Sequence, residues 1–146
     1  MYLSILYIER SLNMSNSKSL EEMKRRFAKD RFATDNGAVI EEVGFNSATC
    51  SLVITDSHRN AMGAVMGGVY FMLADFAFAV AANQETMDCV SLRADISFLD
   101  SARGNKLVAK ATCVKDGKTT ECYRVDVTDD MGTFVATITV TGYHVG

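Results

Sequence analysis

The pattern of hydrophobic and polar positions is most distinctive at residues 59–84, where a glycine-rich segment leads into a long apolar run. Asp75 is the only charged residue between Arg59 and Glu85. A helix that is apolar on every side is buried, and an ionisable side chain on it costs on the order of several kcal/mol unless it is paired or used. The pattern predicts a central buried helix and makes Asp75 the first candidate for chemistry.

A transmembrane helix is the alternative interpretation of the same stretch. Spanning a bilayer takes about 20 apolar residues, whereas roughly 16 positions follow the Gly67-Gly68 pair, with Asp75 near their middle. The alanines of the run favour close packing against strands. We therefore predict a core helix and no membrane partner.

The flanking sequence predicts one more helix and six strands. A capping box that begins at Ser19 opens a short helix, which ends near Asp30. Alternation with a period of two predicts the strands, with turns at the glycine, asparagine and aspartate clusters between them. The predicted strands are residues 38–43, 47–55, 88–98, 107–114, 121–128 and 134–143.

Strict alternation over residues 88–98 assigns the side chains of this strand to two faces. The apolar face is expected to carry Val90, Leu92, Ala94, Ile96 and Phe98. The other face is expected to carry Ser91, Arg93, Asp95 and Ser97.

The order helix, two strands, long helix, four strands, with short connections, predicts an α+β fold with an antiparallel sheet. A curved sheet wrapped around the long central helix covers that helix economically. Residues 18–146 are expected to form one domain. Residues 1–17 are expected to be a poorly ordered leader without the basic region of a signal peptide. Met1 and Met14 both remain candidates for the natural start.

Composition narrows the classes of partner and cofactor. The chain is 48% hydrophobic and 23% charged, and its net charge of -3 gives no support to nucleic-acid binding. Its four cysteines form no C-x-x-C pair, so reduced thiols and a cytoplasmic location are expected. With two histidines and no zinc-type spacing, the sequence predicts no metal and no cofactor.

Gly67, Gly68 and Asp75 suggest a site. The first amides of a helix lack internal partners and carry partial positive charge, so they can stabilise an oxyanion. Asp75 lies about 12 Å further along the helix, at about 1.5 Å per residue, which is too far to act on the same carbonyl. A dimer that places one subunit's Asp75 opposite the other's Gly67 resolves this distance. The alternative is a structural role for all three residues.

A resemblance to a known family is carried by the segment Asn60-Ala61-Met62-Gly63-Ala64-Val65-Met66-Gly67-Gly68, followed by Leu73-Ala74-Asp75. These residues resemble the motif of the hotdog-fold acyl-CoA thioesterases, in particular the PaaI-like branch of phenylacetate pathways and its mammalian relatives. The resemblance covers residues 20–143. It implies the hotdog fold and hydrolysis of an acyl-CoA to a free acid and coenzyme A.

By this resemblance, Asp75 is the general base or nucleophile and the Gly67 amide is the oxyanion donor. Asn60 positions the nucleophile or the thioester, and Ser91 holds the attacking water. The implied substrate contacts are Met66, Gly68, Arg103, Lys118 and Thr119. The family's sites lie at subunit interfaces, so a homodimer or homotetramer is implied.

The sequence departs from the family pattern at Met66, which stands where the family has histidine. Methionine cannot donate a hydrogen bond. A non-catalytic acyl-CoA or fatty-acyl binding protein is therefore the alternative to an enzyme. A hotdog dehydratase is a third interpretation, although such enzymes usually pair the acidic residue with a histidine. His58 lies nearby but out of register, and is expected to be a loop residue.

Overall fold

A computed structural model describes residues 20–146. The first helix, α1, covers residues 20–27 of the described chain. The predicted Ser19 cap and the predicted leader over residues 1–17 lie outside the described residues. Two further α-helices follow, α2 (Arg31–Asp35) and α3 (Gly67–Ala82), with a 3₁₀ turn at Asp56–His58. The strands are β1 (Val39–Gly44), β2 (Ser47–Val53), β3 (Cys89–Phe98), β4 (Lys106–Asp116), β5 (Thr120–Asp129) and β6 (Phe134–His144).

The six strands form one antiparallel sheet in the order β1-β2-β4-β5-β6-β3. β4, β5 and β6 are joined by short turns, whereas α3 connects β2 to β3 across the width of the sheet. The predicted strands are thus confirmed to within a few residues at each end. β1 and β3 are the two edges of the sheet, and β3 is the longer edge.

Helix α3 packs against one face of the sheet, with its closest association at β2 and β4. Its fully buried side chains include Leu73, Ala77 and Val80, which meet buried sheet residues such as Leu107 and Ile138. Small residues on the helix let it lie close to the strands. This arrangement confirms the predicted architecture of a sheet around a central helix.

The prediction that α3 is buried on every side is wrong for one stripe of the helix. Gly68 is exposed, and Phe71, Met72 and Asp75 are only partly buried. These positions recur at the three- and four-residue spacing of a single helical face. Asp75 therefore lies on the stripe of α3 that is incompletely covered by the sheet of its own chain. No helix within residues 20–146 is long and apolar enough to cross a membrane.

Two short elements were not predicted. Helix α2 occupies a segment expected to be a connection, and Arg31 closes it with two hydrogen bonds of 3.0 Å to Asp35. The 3₁₀ turn at Asp56–His58 lies where β2 was expected to give way to the glycine-rich segment. Both are too short to produce a periodic hydrophobic pattern.

The turn between β5 and β6 is organised around Asp129, which is 4% exposed. Its Oδ2 accepts hydrogen bonds from the amides of Arg103 (2.7 Å) and Gly104 (2.9 Å). Its Oδ1 accepts from the amides of Met131 (3.0 Å) and Thr133 (2.8 Å). Burial by itself raises the pKa of Asp129, but these amides stabilise the anion more strongly and bring its pKa well below the usual range.

We predict that Asp129→Asn destabilises the domain by about 2 kcal/mol, because an amide group replaces one acceptor oxygen and the charge-assisted bonds are lost. The native pKa is lowered, so this stabilisation is complete above the unfolded pKa of about 3.9 and is lost as the pH falls through the native value. Urea unfolding of both proteins between pH 3 and pH 7 measures the difference.

Asp130→Asn is the matched control. The carboxylate of Asp130 also accepts two amide hydrogen bonds, from Asn105 and Lys106, but it is exposed. We expect a smaller loss for this variant. Equal losses for the two variants, or a difference between Asp129→Asn and the wild type that does not change with pH, would contradict the assignment.

Candidate active site

The segment that leads into α3 is a loop held by His58 and Asn60. His58 is buried; its Nδ1 accepts from the Thr55 amide at 2.9 Å and its Nε2 donates to the Asn36 carbonyl at 2.7 Å. Both ring nitrogens are therefore engaged in the structure. His58 was expected to be a loop residue but is instead the buried last residue of the 3₁₀ turn, and its ring cannot replace the histidine that Met66 displaces.

Asn60 closes the loop through its own side chain. Its Oδ1 accepts from the amides of Met62 (3.0 Å) and Ala64 (3.1 Å), and its backbone pairs with Ala64. The carboxamide oxygen is thus used to shape the loop. The Nδ2 group has no hydrogen-bond partner within residues 20–146 and remains available as a donor.

The start of α3 leaves two backbone donors open. Met66 is the N-cap and offers no side-chain cap, and its carbonyl accepts from the Val69 amide at 2.9 Å. The amides of Gly67 and Gly68 find no partner in the described part of the chain. Open amides at a helix start form a site for a negatively charged oxygen.

Neighbouring side chains explain why glycine occupies positions 67 and 68. A Cβ on Gly67 would lie 2.8 Å from Cε1 of Phe98, so the ring can pack here only against a glycine. The methyl group of Met66 lies 3.3 Å from the position that a Cβ on Gly68 would take. Phe98 and Met66 are both more than half exposed. The helix start is therefore flanked by apolar side chains that are open to an incoming ligand.

Asp75 is paired with Ser91 across the gap between α3 and β3. The Ser91 hydroxyl donates to Oδ1 of Asp75 at 2.9 Å. Oδ2 of Asp75 has no partner within residues 20–146. The pair thus offers one free carboxylate oxygen and the lone pairs of a hydroxyl at the same point.

A β-bulge turns Ser91 toward the helix. In the β3–β6 pairing the register shifts between Ser91 and Arg93, so that Ser91 lies opposite Gly142 and Ala94 lies opposite Val140. Opposite residues of an antiparallel pair point to the same face, and Val140 is buried. The predicted assignment of Ser91 to the face away from Ala94 is therefore wrong, because the extra residue inverts the alternation.

A cleft of about 340 Å³ lies beside Asp75. One wall is the partly covered stripe of α3, with Gly68, Phe71 and Met72. The other wall is built from Asp30, Phe32 and Ala33 in and before α2. The sequence analysis did not predict this second wall of the cleft. The i, i+4 spacing of Arg31 and Asp35, which favours a helical turn, was the one pattern that could have indicated α2.

The predicted substrate contacts do not all converge in one chain. Arg103 precedes β4, near the start of α3, where the Tyr70 hydroxyl accepts from the Ala102 amide at 3.0 Å. Lys118 and Thr119 are exposed in the turn that follows β4. The eleven residues of β4 separate the two groups by about 33 Å at about 3.3 Å per residue.

The comparisons with known proteins agree with this architecture. Residues 62–136 match the model of the thioesterase superfamily. A protein of Archaeoglobus fulgidus named "Putative esterase" is 33% identical over 109 residues, which cover 74% of this chain and 71% of that protein.

Solved structures extend the similarity to nearly the whole domain. The E. coli PaaI protein from the phenylacetic acid degradation operon superposes with a TM-score of 0.81 at 25% identity, covering 90% of this chain and 96% of that chain. A hypothetical thioesterase of Streptococcus pneumoniae, solved with coenzyme A, gives a TM-score of 0.76 at 26% identity and covers 84% and 97%. With its curved six-stranded sheet around a central helix, this chain belongs to the thioesterase superfamily and has the hotdog fold of the PaaI-like proteins.

Proposed function

We propose that the protein hydrolyses acyl-CoA thioesters, with Asp75 as the base or nucleophile and the Gly67 amide as the oxyanion donor. The observation that carries this proposal is the Asp75–Ser91 pair, which lies on the one uncovered stripe of α3 beside an open cleft. The coenzyme A in the S. pneumoniae neighbour supports the substrate class.

In the base mechanism, Asp75 takes a proton from a water that Ser91 helps to hold, as the water oxygen bonds to the thioester carbon. The carbonyl oxygen becomes an oxyanion at the Gly67 amide. The carbon–sulfur bond then breaks, the carbonyl re-forms, and the coenzyme A sulfur takes the proton from Asp75. In direct attack, the Asp75 carboxylate bonds to the thioester carbon, the carbon–sulfur bond breaks and the coenzyme A thiolate leaves and takes a proton from solvent; water then hydrolyses the resulting anhydride to the acid and the free Asp75 carboxylate.

Two chains are needed to assemble this site. Gly67 and Asp75 are about 12 Å apart along one helix, so we propose that the amide of one subunit faces the carboxylate of another. The same arrangement would complete the substrate contacts, with Arg103 from one chain and Lys118 and Thr119 from another. We place the homo-oligomer in the cytoplasm, because all four cysteines are free thiols.

The edge of the sheet at β3 supports a homo-oligomer. Val90, Leu92, Phe98 and Leu99 are each about half or more exposed on or just after this ten-residue edge strand. The unpaired backbone groups of a long, apolar edge strand can pair with a strand of another chain unless the edge is covered. We propose that a second copy of the chain covers this edge and the adjacent stripe of α3.

An acyl-CoA binding protein without turnover is the second candidate function, and Met66 is the observation that favours it. Its thioether stands beside the open amides and supplies no hydrogen-bond donor. Asn60 Nδ2 and the helix-start amides are then the donors left for the thioester. Loss of one donor to a developing oxyanion costs about 10²–10³ in kcat in enzymes that depend on it.

Asp75→Asn should lower kcat by about 10²–10⁴, because the variant cannot accept the proton. The melting temperature should change little, since the asparagine oxygen can still accept from Ser91. Thiol release from a panel of short, medium, long and aryl acyl-CoAs measures kcat. Asp126→Asn, a carboxylate on β5 paired with Arg124 and away from the β3 edge, is the control and should leave kcat unchanged. An unaltered kcat in Asp75→Asn ends the catalytic assignment.

Met66→His distinguishes between the two candidate functions, hydrolysis and binding without turnover. In an enzyme it should raise kcat by about tenfold, because it returns a donor near the carbonyl, although without an optimised position. Met62→His, on an exposed methionine of the same loop, is the matched control and should have no effect. Turnover that stays at background in both variants, with weaker acyl-CoA binding in Met66→His, would favour the binding protein.

Leu92→Lys tests the shared site. A lysine at the exposed bulge should block pairing at the β3 edge and shift the protein from oligomer to monomer in light scattering, with kcat falling in parallel. Val114→Lys, equally exposed on β4, is the control. A stable and fully active Leu92→Lys monomer would exclude a site built from two chains.

A further inference from the structure

A second polar cluster lies at the opposite end of α3 from the helix-start amides. Cys89, Glu121 and His144 come from the ends of β3, β5 and β6, and their potential ligand atoms lie within 4.8 Å of one another. Cys89 and Glu121 are buried and His144 is partly buried. Within residues 20–146, no other group of three His, Cys, Asp or Glu side chains comes so close. None of the three takes part in the proposed hydrolysis.

We propose that Cys89, Glu121 and His144 bind a divalent transition metal of the zinc class, with a water as the fourth ligand. Thiolate sulfur, imidazole nitrogen and carboxylate oxygen are the three ligand types that zinc takes in proteins. The three residues are 23 or more positions apart in the chain, which is why motif spacing did not indicate a site.

One of the two polar contacts of His144 is the kind that a metal-ligating histidine makes. Its Nδ1 lies 3.3 Å from Oδ1 of Asp88 and its Nε2 lies 2.5 Å from Oε1 of Glu121. A ligating histidine usually donates its other ring N–H to a carboxylate, which fixes the ring and raises its basicity. Asp88 holds Nδ1 in this way and leaves Nε2 directed at the cluster.

Cys89 is held in place by its backbone. The Asn83 side chain accepts from the Cys89 amide at 2.9 Å and donates to the Cys89 carbonyl at 3.0 Å. Gly142 provides the space for the sulfur, since a Cβ there would lie 2.7 Å from Sγ. The thiol position is therefore pre-organised by contacts that do not involve the sulfur.

The dimensions suit zinc after a small adjustment. Bonds of about 2.0–2.3 Å in tetrahedral geometry hold ligand atoms roughly 3.3–3.8 Å apart. The present separations reach from 2.5 Å between His144 and Glu121 to 4.8 Å at most. Displacements on the order of 1 Å would seat the ion. On binding, the Cys89 thiol releases its proton to solvent, and the proton shared between His144 Nε2 and Glu121 leaves as well, so that His144 binds as neutral imidazole and Glu121 as carboxylate.

One further feature of this end of the fold agrees with a bound ion. Glu121 and His144 line a cavity of about 210 Å³, which gives access for the metal and room for its water.

Cobalt titration of the full-length protein after treatment with a chelator tests the proposal. One cobalt per chain should produce the near-ultraviolet absorption of a thiolate–cobalt bond, and zinc should displace it and raise the melting temperature. Cys89→Ser should abolish the band. Cys122→Ser, on the outward face of β5 beside Glu121, is the matched control and should retain it.

Asp88→Asn is the second variant, and it keeps all three ligands. It should weaken cobalt affinity by about 10–100-fold, because a neutral amide replaces the carboxylate that orients His144 and raises its basicity. The competing interpretation is a His144–Glu121 ion pair that needs no metal. Absence of a thiolate band in the wild type, or a band that survives in Cys89→Ser, would overturn the metal site. These readouts do not depend on hydrolysis.

Discussion

The burial of α3 is the constraint on which the rest of the structure depends. Sixteen residues with almost no polar side chains must be removed from water, and one sheet can cover a helix on one side only. β2 and β4 lie beneath the helix, and β3, β5 and β6 contact it less closely. What remains is the stripe from Gly68 to Asp75, which α2 borders across the cleft but does not close.

The position of Asp75 follows from this constraint. At any of the fully buried positions on either side, such as Leu73 or Ala77, a carboxylate would need a partner inside the core. On the uncovered stripe the carboxylate of Asp75 remains accessible, and a single hydrogen bond from Ser91, which the bulge in β3 turns toward the helix, is the one it receives from the described chain. The fold thus tolerates an acidic residue on its most apolar helix at the single face where a ligand or a second chain can reach it.

The sequence predicted what depends on periodicity and left out what depends on packing. The long helix and all six strands repeat a pattern over six or more residues, so they could be identified to within a few residues. Helix α2 has five residues, which is too few for a pattern. The bulge after Ser91 leaves no trace in the alternation of polar and apolar residues, so the face of Ser91 was predicted wrongly even though its role beside Asp75 followed from the resemblance. Asp129 directly follows the predicted strand 121–128 and is the last residue of β5. Its four amide partners could not be predicted, because they lie in two turns, one before β4 and one after β5, that meet only in the folded chain.

The two ends of α3 differ in how they satisfy their backbone. At the C-terminal end, Asn83 Nδ2 donates to the Ala79 carbonyl, and Arg26 reaches the Gln84 carbonyl at 2.8 Å. At the N-terminal end, the amides of Gly67 and Gly68 have no such partner in the described chain, and Met66 offers none from its side chain. The first amides of any helix lack an intrahelical partner, and Gly68 is exposed, so water can satisfy its amide where the chain does not. The oxyanion role proposed for the Gly67 amide requires this end to stay unpaired, since donors already paired within the chain could not receive an oxyanion.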